Sequence, residues 1–178
     1  SYHNYRIRFD FSIRNGNTMI FLFDIKTKEE LNNTSVTENG FYIDLANSKY
    51  LEVSIKREIL NDGKDGLVED IRYNKPAKSG DKFTEEGIYT ITTKNSYTRE
   101  TTIKKIYVGT DKILKAHVQT GRSIENIKIL LKEGAKIDEN GNMTNIPKKY
   151  LEEYSTSDNN KNINIIYILI FSISILLL

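Results

Sequence analysis

The sequence predicts a mainly β protein: an antiparallel β-sandwich with a small βα appendage and a C-terminal apolar helix. Three observations predict it. Short segments alternate apolar and polar residues at period two, the mark of strands with one buried face. Gly, Asn and Asp interrupt them at close spacing, as turns between antiparallel strands require. An uncharged run, "INIIYILIFSISILLL", extends from Ile163 to Leu178.

Taken in order, "YRIRFDFSI" sets Tyr5, Ile7, Phe9, Phe11 and Ile13 against polar neighbours, and Asn15-Gly16-Asn17 follows as a turn. "TMIFLFDIK" is a second strand, apolar on both faces. "GFYIDLA", "KYLEVSIKREIL", "GLVEDIRY", "GIYTITTKN" and "ETTIKKIYVG" continue the series. Turn residues fall at Asn39-Gly40, Asp62-Gly63, Asp65-Gly66 and Ser79-Gly80. In "YLEVSIK", Leu51, Val53 and Ile55 share one face and Glu52, Ser54 and Lys56 the other, one dry and one wet. About seven strands in this arrangement suit one sandwich. The domain boundaries are accordingly 1–109 for the sandwich, 110–147 for an α/β appendage or stalk, 148–162 for a polar linker and 163–178 for the apolar segment.

Within the appendage, Ile113 to Gln119 reads as strand-like. Ser123 is an N-cap for a helix over "IENIKILLKE", with Ile124, Ile127 and Leu131 on one stripe and Gly134 at C′. "DENGN" is a turn. So short a segment buries too little apolar surface to stand alone, so it is expected to pack on the sandwich or form a stalk.

Composition sets bounds on function. The chain has 178 residues, 38% of them hydrophobic, and a formal net charge of +2. That balance gives no electrostatic case for nucleic acid, which calls for clustered basic charge. There is no cysteine, hence no disulfide, thiolate metal site or cysteine nucleophile. The sequence starts at Ser1 without a basic-then-apolar leader and reads as a piece, or a processed form, of something longer.

The stretch "EEGIYTITTKN" carries a finer signal. Glu85, Gly87, Tyr89 and Ile91 stand at the offsets of the acidic-x-Gly-x-Tyr-x-Cys pattern that marks the tyrosine corner of immunoglobulin-like sandwiches. Ile91 occupies the cysteine place, so a core built on this pattern packs apolar side chains without a disulfide. With Trp absent as well, the pattern departs from antibody-type domains. The bland reading makes Gly87 a turn residue and Tyr89 a core aromatic. "GDKFTEEGIYTITTKN" followed by "TTIKKIYVG" resembles the closing strands of bacterial, Gram-positive-type extracellular immunoglobulin-like repeats; with "LVEDIRYNKPAKSGDKFTEEGIYTI" and "ILKAHVQTGRSIENI", which look similar to tracts of such proteins, the resemblance covers about residues 40 to 140. The resemblance implies display or adhesion, with no catalytic residues to carry over. No Leu-Pro-x-Thr-Gly wall-anchoring motif accompanies it.

The apolar run spans about 24 Å as a helix, against about 30 Å for a hydrocarbon core. It is shorter than the ~20 residues of a usual span and longer than a typical core-helix stripe. It reads as a membrane anchor, with a removed targeting signal or a core helix as the alternatives. Two anchors fit: a single-pass helix, or a lipid-anchor signal with Ser155, Thr156 and Ser157 as its small residues. Either leaves the folded part at the cell surface, outside the membrane. The membrane is thus the one expected partner, with an extracellular protein or glycan ligand left unidentified.

Other chemistry is thin. His3 and His117 are far apart in sequence and read as surface or partly packed residues. Asp62, Asp65, Glu69 and Asp70, with Asp44 elsewhere, are candidate calcium ligands, but Gly63 breaks the EF-hand spacing, and solvated turn acids are the competing reading. No phosphate-binding loop, nucleophile elbow or zinc-protease motif occurs, so no cofactor is expected. Asn32, Asn33 and Asn142 fit Asn-x-Ser/Thr. Tyr42, Tyr50, Tyr73, Tyr97 and Tyr107 are candidates for an exposed binding face, or else cross-strand and core aromatics. The expected function is a non-catalytic surface spacer, display or adhesion module; the alternatives are an accessory domain of a larger surface enzyme or a module that binds glycan or protein.

Overall fold

The computed structural model describes residues 20–45, 50–61 and 66–151. The strand expected over 5–13, the turn at 15–17, His3, Asp62, Asp65, and the segment from 152 onward with its apolar run lie outside the described residues. Among the described residues, no helix is long and apolar enough to cross a membrane.

The chain is mainly β, with antiparallel sheets. In order, its elements are β1 Phe21–Asp24, β2 Val36–Thr37, β3 Phe41–Asp44, β4 Leu51–Leu60, β5 Leu67–Glu69, a 3-10 turn Ile71–Tyr73, β6 Pro76–Ala77, β7 Lys82–Phe83, β8 Gly87–Asn95, β9 Thr101–Val108, α1 Lys112–Thr120, α2 Ile124–Lys132, β10 Lys136–Ile137 and β11 Met143–Thr144. Three strands form one sheet in the order β1-β3-β7. Six form the other: β2-β9-β8-β4-β5, with β6 also paired to β4. The β2–β9 pair is parallel and every other pair antiparallel.

Period two decides which side chains meet. Leu22, Phe41 and Ile43 from the smaller sheet share one core with Val53, Ile55, Tyr89, Ile91, Ile106 and Val108 from the larger. Ile91 sits opposite Ile55 in the β4–β8 ladder, and both are buried. Each such side chain contributes about 1.5–3 kcal/mol by leaving water. Phe41 meets Tyr89 edge to face at 5.3 Å between ring centroids.

One buried position is a carboxylate. Asp24 ends β1, and its Oδ1 accepts from the amides of Lys26 and Thr27, each at 2.8 Å. Thr37 donates its hydroxyl and Asn39 its side-chain amide to the same group. Burial raises its pKa, but these donors outweigh burial and bring it down to about 2. The carboxylate therefore ties the end of β1 to the β2–β3 turn.

Two expectations are corrected. Ile113 to Gln119 lies in a helix, α1, and not in a strand. Asp111 caps it, with Oδ1 accepting from the Leu114 amide at 2.9 Å, and Gly121 closes it in the left-handed region at φ 71°. Leu114 and Val118, four apart, then face the same way. The second correction is "GLVEDIRY": its strand stops at Glu69, because Asp70 turns to cap the 3-10 turn by accepting from the Arg72 amide at 3.2 Å. Ser123 does cap α2, accepting from Asn126 at 3.1 Å, although Ile127 and Leu130 rather than Leu131 are its buried residues.

The appendage packs on the outer face of the six-stranded sheet. Ile88 and Tyr107, cross-strand partners pointing away from the main core, form a second apolar cluster with Leu114 and Val118, edged by Val36, Leu67 and Ile124. Lys115 of α1 is nearly buried and reaches Glu38 at 3.0 Å.

Candidate functional site

Alternation along β4 carries Leu51, Val53 and Ile55 inward and then brings Arg57 to the next inward position. A charge there calls for partners. Its Nε and Nη2 donate to the Glu86 carbonyl, and Nη1 donates to Asp70 Oδ2 at 2.6 Å, with Glu85 Oε2 at 3.3 Å. The guanidinium also lies 5.0 Å over the Tyr73 ring, a cation–π contact. Arg72 approaches from the surface, its Nη2 2.6 Å from Asp70 Oδ2 and 3.5 Å from Glu85 Oε2. Two arginines thus face two carboxylates. The Arg72 hydrogen bond, more than that of Arg57, holds the Asp70 carboxyl well below the usual carboxylate range, and the same pairing raises Arg72.

The four residues singled out in the sequence meet this cluster. The Tyr89 hydroxyl donates to the Glu85 carbonyl at 2.7 Å, four residues upstream. Gly87 passes under the arginine: a Cβ there would stand 2.9 Å from Arg57 Nε and 3.0 Å from the Glu58 carbonyl. The glycine is a close-approach residue. The Glu85 side chain is half exposed and faces the arginines, and Ile91 is wholly buried. Burial, with Tyr73 next in weight, pushes the Tyr89 hydroxyl far above its ordinary range.

Arg57 and Glu86 take part without having been foreseen; Asp70, singled out as a candidate calcium ligand or turn acid, and Tyr107, singled out as a binding-face or core tyrosine, serve instead as partners within the cluster. The Tyr107 hydroxyl donates to Glu86 Oε1 at 2.7 Å and accepts from the Asp111 amide at 2.9 Å. A hydrogen-bonded path therefore runs from Asp70 through Arg57 and Glu86 to Tyr107 and the cap of α1. The one available signal was Arg57 itself, a charge in phase with three apolar residues. Chemically, the charged groups of the cluster hold one another. Asp70 remains ionised far below neutral pH, and buried Tyr107, like Tyr89, has its pKa raised by burial.

Beside the cluster, the flank between the sheets opens into a cleft of about 370 Å³. Ile55, Tyr73 and Phe83 give it an apolar wall; Arg72, Lys75, Lys82, Asp81 and Glu85 surround it with charge. The tyrosines divide. Of the five singled out, Tyr107 is buried, Tyr42 and Tyr73 are partly buried, and Tyr50 and Tyr97 stand well exposed, their rings 5.9 Å apart on the β8–β9 turn side.

The remaining candidates are occupied. His117 Nδ1 lies 2.6 Å from the Arg122 carbonyl, within the α1–α2 connection. Glu69 meets Lys56 and Asn74, and Asp70 is held by the arginines. Among the described residues, no three His, Cys, Asp or Glu side chains gather as a metal site. Set against family models, characterised proteins and solved structures, the chain matches none.

Proposed function

We propose that the chain is a non-catalytic, immunoglobulin-like module displayed at a cell surface and held there by the apolar run from Ile163 to Leu178. The strand order carries this reading. A B-E pair with an added edge strand corresponds to β3-β7 with β1, and a G-F-C-C′ series corresponds to β9-β8-β4-β5. The Tyr89–Glu85 bond supports it further, since it lies at the start of β8, where such sandwiches carry their corner tyrosine. The step from fold to display is an analogy of scaffold. It is supported by the charged cluster, whose groups are used up in holding the corner together, and by the uncharged character of the run.

Fractionation tests the anchor. The full chain is expected with membranes and open to protease added outside intact cells, and deletion of residues 163–178 is expected to release it. A full chain found wholly in the cytosol overturns the proposal.

A further inference from the structure

The larger sheet has an outer face that the appendage covers only at one end. Register defines the rows that the appendage leaves open among the described residues: Glu52, Lys94 and Thr101; Ser54, Thr92 and Ile103; Lys56, Thr90 and Lys105. Two further clefts, of about 340 and 520 Å³, lie over these rows. The first shares Lys75 and Pro76 with the flank cleft, and the second shares Ser54, Pro76 and Thr92 with the first. The three clefts adjoin at Lys75 and Pro76 and are taken together as one groove, from Tyr73 and Phe83 in the flank cleft to Lys94 in the outer one.

Its chemistry is selective. The floor offers hydroxyls, from Ser54, Thr90 and Thr92, each able to donate and accept. Among the described residues, Lys75, Lys82 and Lys94 have no ion-pair partner. Of the carboxylates along the groove, Glu69 is paired with Lys56 and Glu85 with the arginines, which leaves Glu52 and Asp81 against three lysines. Pro76 lies on β6 and has no N–H, so an added peptide strand would meet an interrupted ladder there. A chain rich in hydroxyls and bearing acidic groups meets none of these obstacles. We propose that the groove binds an anionic glycan, recognised by hydroxyl rows along its floor, aromatic surface at one end and lysines along its length.

The inference deepens the surface-module reading, but the two are read by separate measurements. Binding is titrated with the full chain in mild detergent, using an oligogalacturonate, its methyl-esterified neutral counterpart and polyglutamate. The oligogalacturonate is expected to bind, the ester at least about tenfold more weakly, and the Lys75→Ala/Lys82→Ala variant to lose about tenfold at unchanged melting temperature. Lys132→Ala/Lys136→Ala, in the appendage, is expected to bind as the parent does. The proposal is overturned by no uronate binding, by equal binding of the ester, by polyglutamate binding as tightly, or by a groove variant that binds normally. An anchored chain that ignores uronate removes the groove reading alone; a cytosolic chain that binds it removes the anchor reading alone.

Discussion

Asp24 shows what one buried acid can do when it is given enough donors. Replacing it with Asn halves its accepting capacity and leaves the Thr37 and backbone donors short, with an expected loss of about 2–3 kcal/mol in urea unfolding. Its pKa also fixes a pH dependence. The folded value, about 2, lies below the ordinary 3.8, so the ionised form favours the folded state. That contribution, about 2 kcal/mol, is complete above about pH 5 and fades as pH falls towards 2. Urea midpoints should slope downward across this range in the parent and more weakly in Asp24→Asn. At the corner, Tyr89→Phe removes a single hydroxyl from a fully packed ring and should cost about 1–2 kcal/mol, while Gly87→Ala, which pushes a methyl into Arg57, should cost about 1–3 kcal/mol. Neither side chain of Asp24 nor of Arg57 could be assigned a partner from sequence. Apart from the Lys26 and Thr27 amides on Asp24, their partners lie 13 and more positions away, brought close by strand pairing that local pattern does not encode.

At the level of elements, period two was enough to locate the long strands, because half-buried strands write their burial directly into the order of residues. It failed for α1. "ILKAHVQ" holds β-branched residues and an imperfect alternation that favour a strand, yet the Asp111 cap, the Gly121 stop and a docking surface on Ile88 and Tyr107 favour the helix. The two-residue strands β2, β6 and β7 were invisible for another reason: each exists because a longer neighbour lends it a ladder. The groove was hidden likewise, since its floor belongs to β4 and β8 and its ridge to β6. Besides the shared apolar cluster and the Lys115–Glu38 pair, one hydroxyl ties the sheet to the cap of the helix. Tyr107→Phe should therefore lower amide-exchange protection in α1 by about tenfold, while β8 amides, set within the central ladders, keep theirs. Equal loss in both elements would show that the hydroxyl supports the whole sandwich instead.

For the molecule as a whole, the appendage and the sandwich share an apolar cluster, so they are expected to unfold together in one transition. Truncation after Gly109 tests this. It strips the cover from Ile88 and Tyr107, both almost wholly buried, and should cost about 3 kcal/mol or more, seen as a lower melting temperature and as dye binding to the bared face. An unchanged melting temperature would mark residues 110–147 as a separate unit. The covered cluster also has a mechanical consequence. Tension entering from the C-terminal side reaches β9 only after passing through β11, α2 and α1. These can peel away from Ile88 and Tyr107 one contact at a time, lengthening the chain under load before any shear falls on the β8–β9 ladder. The appendage would then serve as an extensible tether that absorbs a pull and spares the sandwich, and it could redock when the pull relaxes.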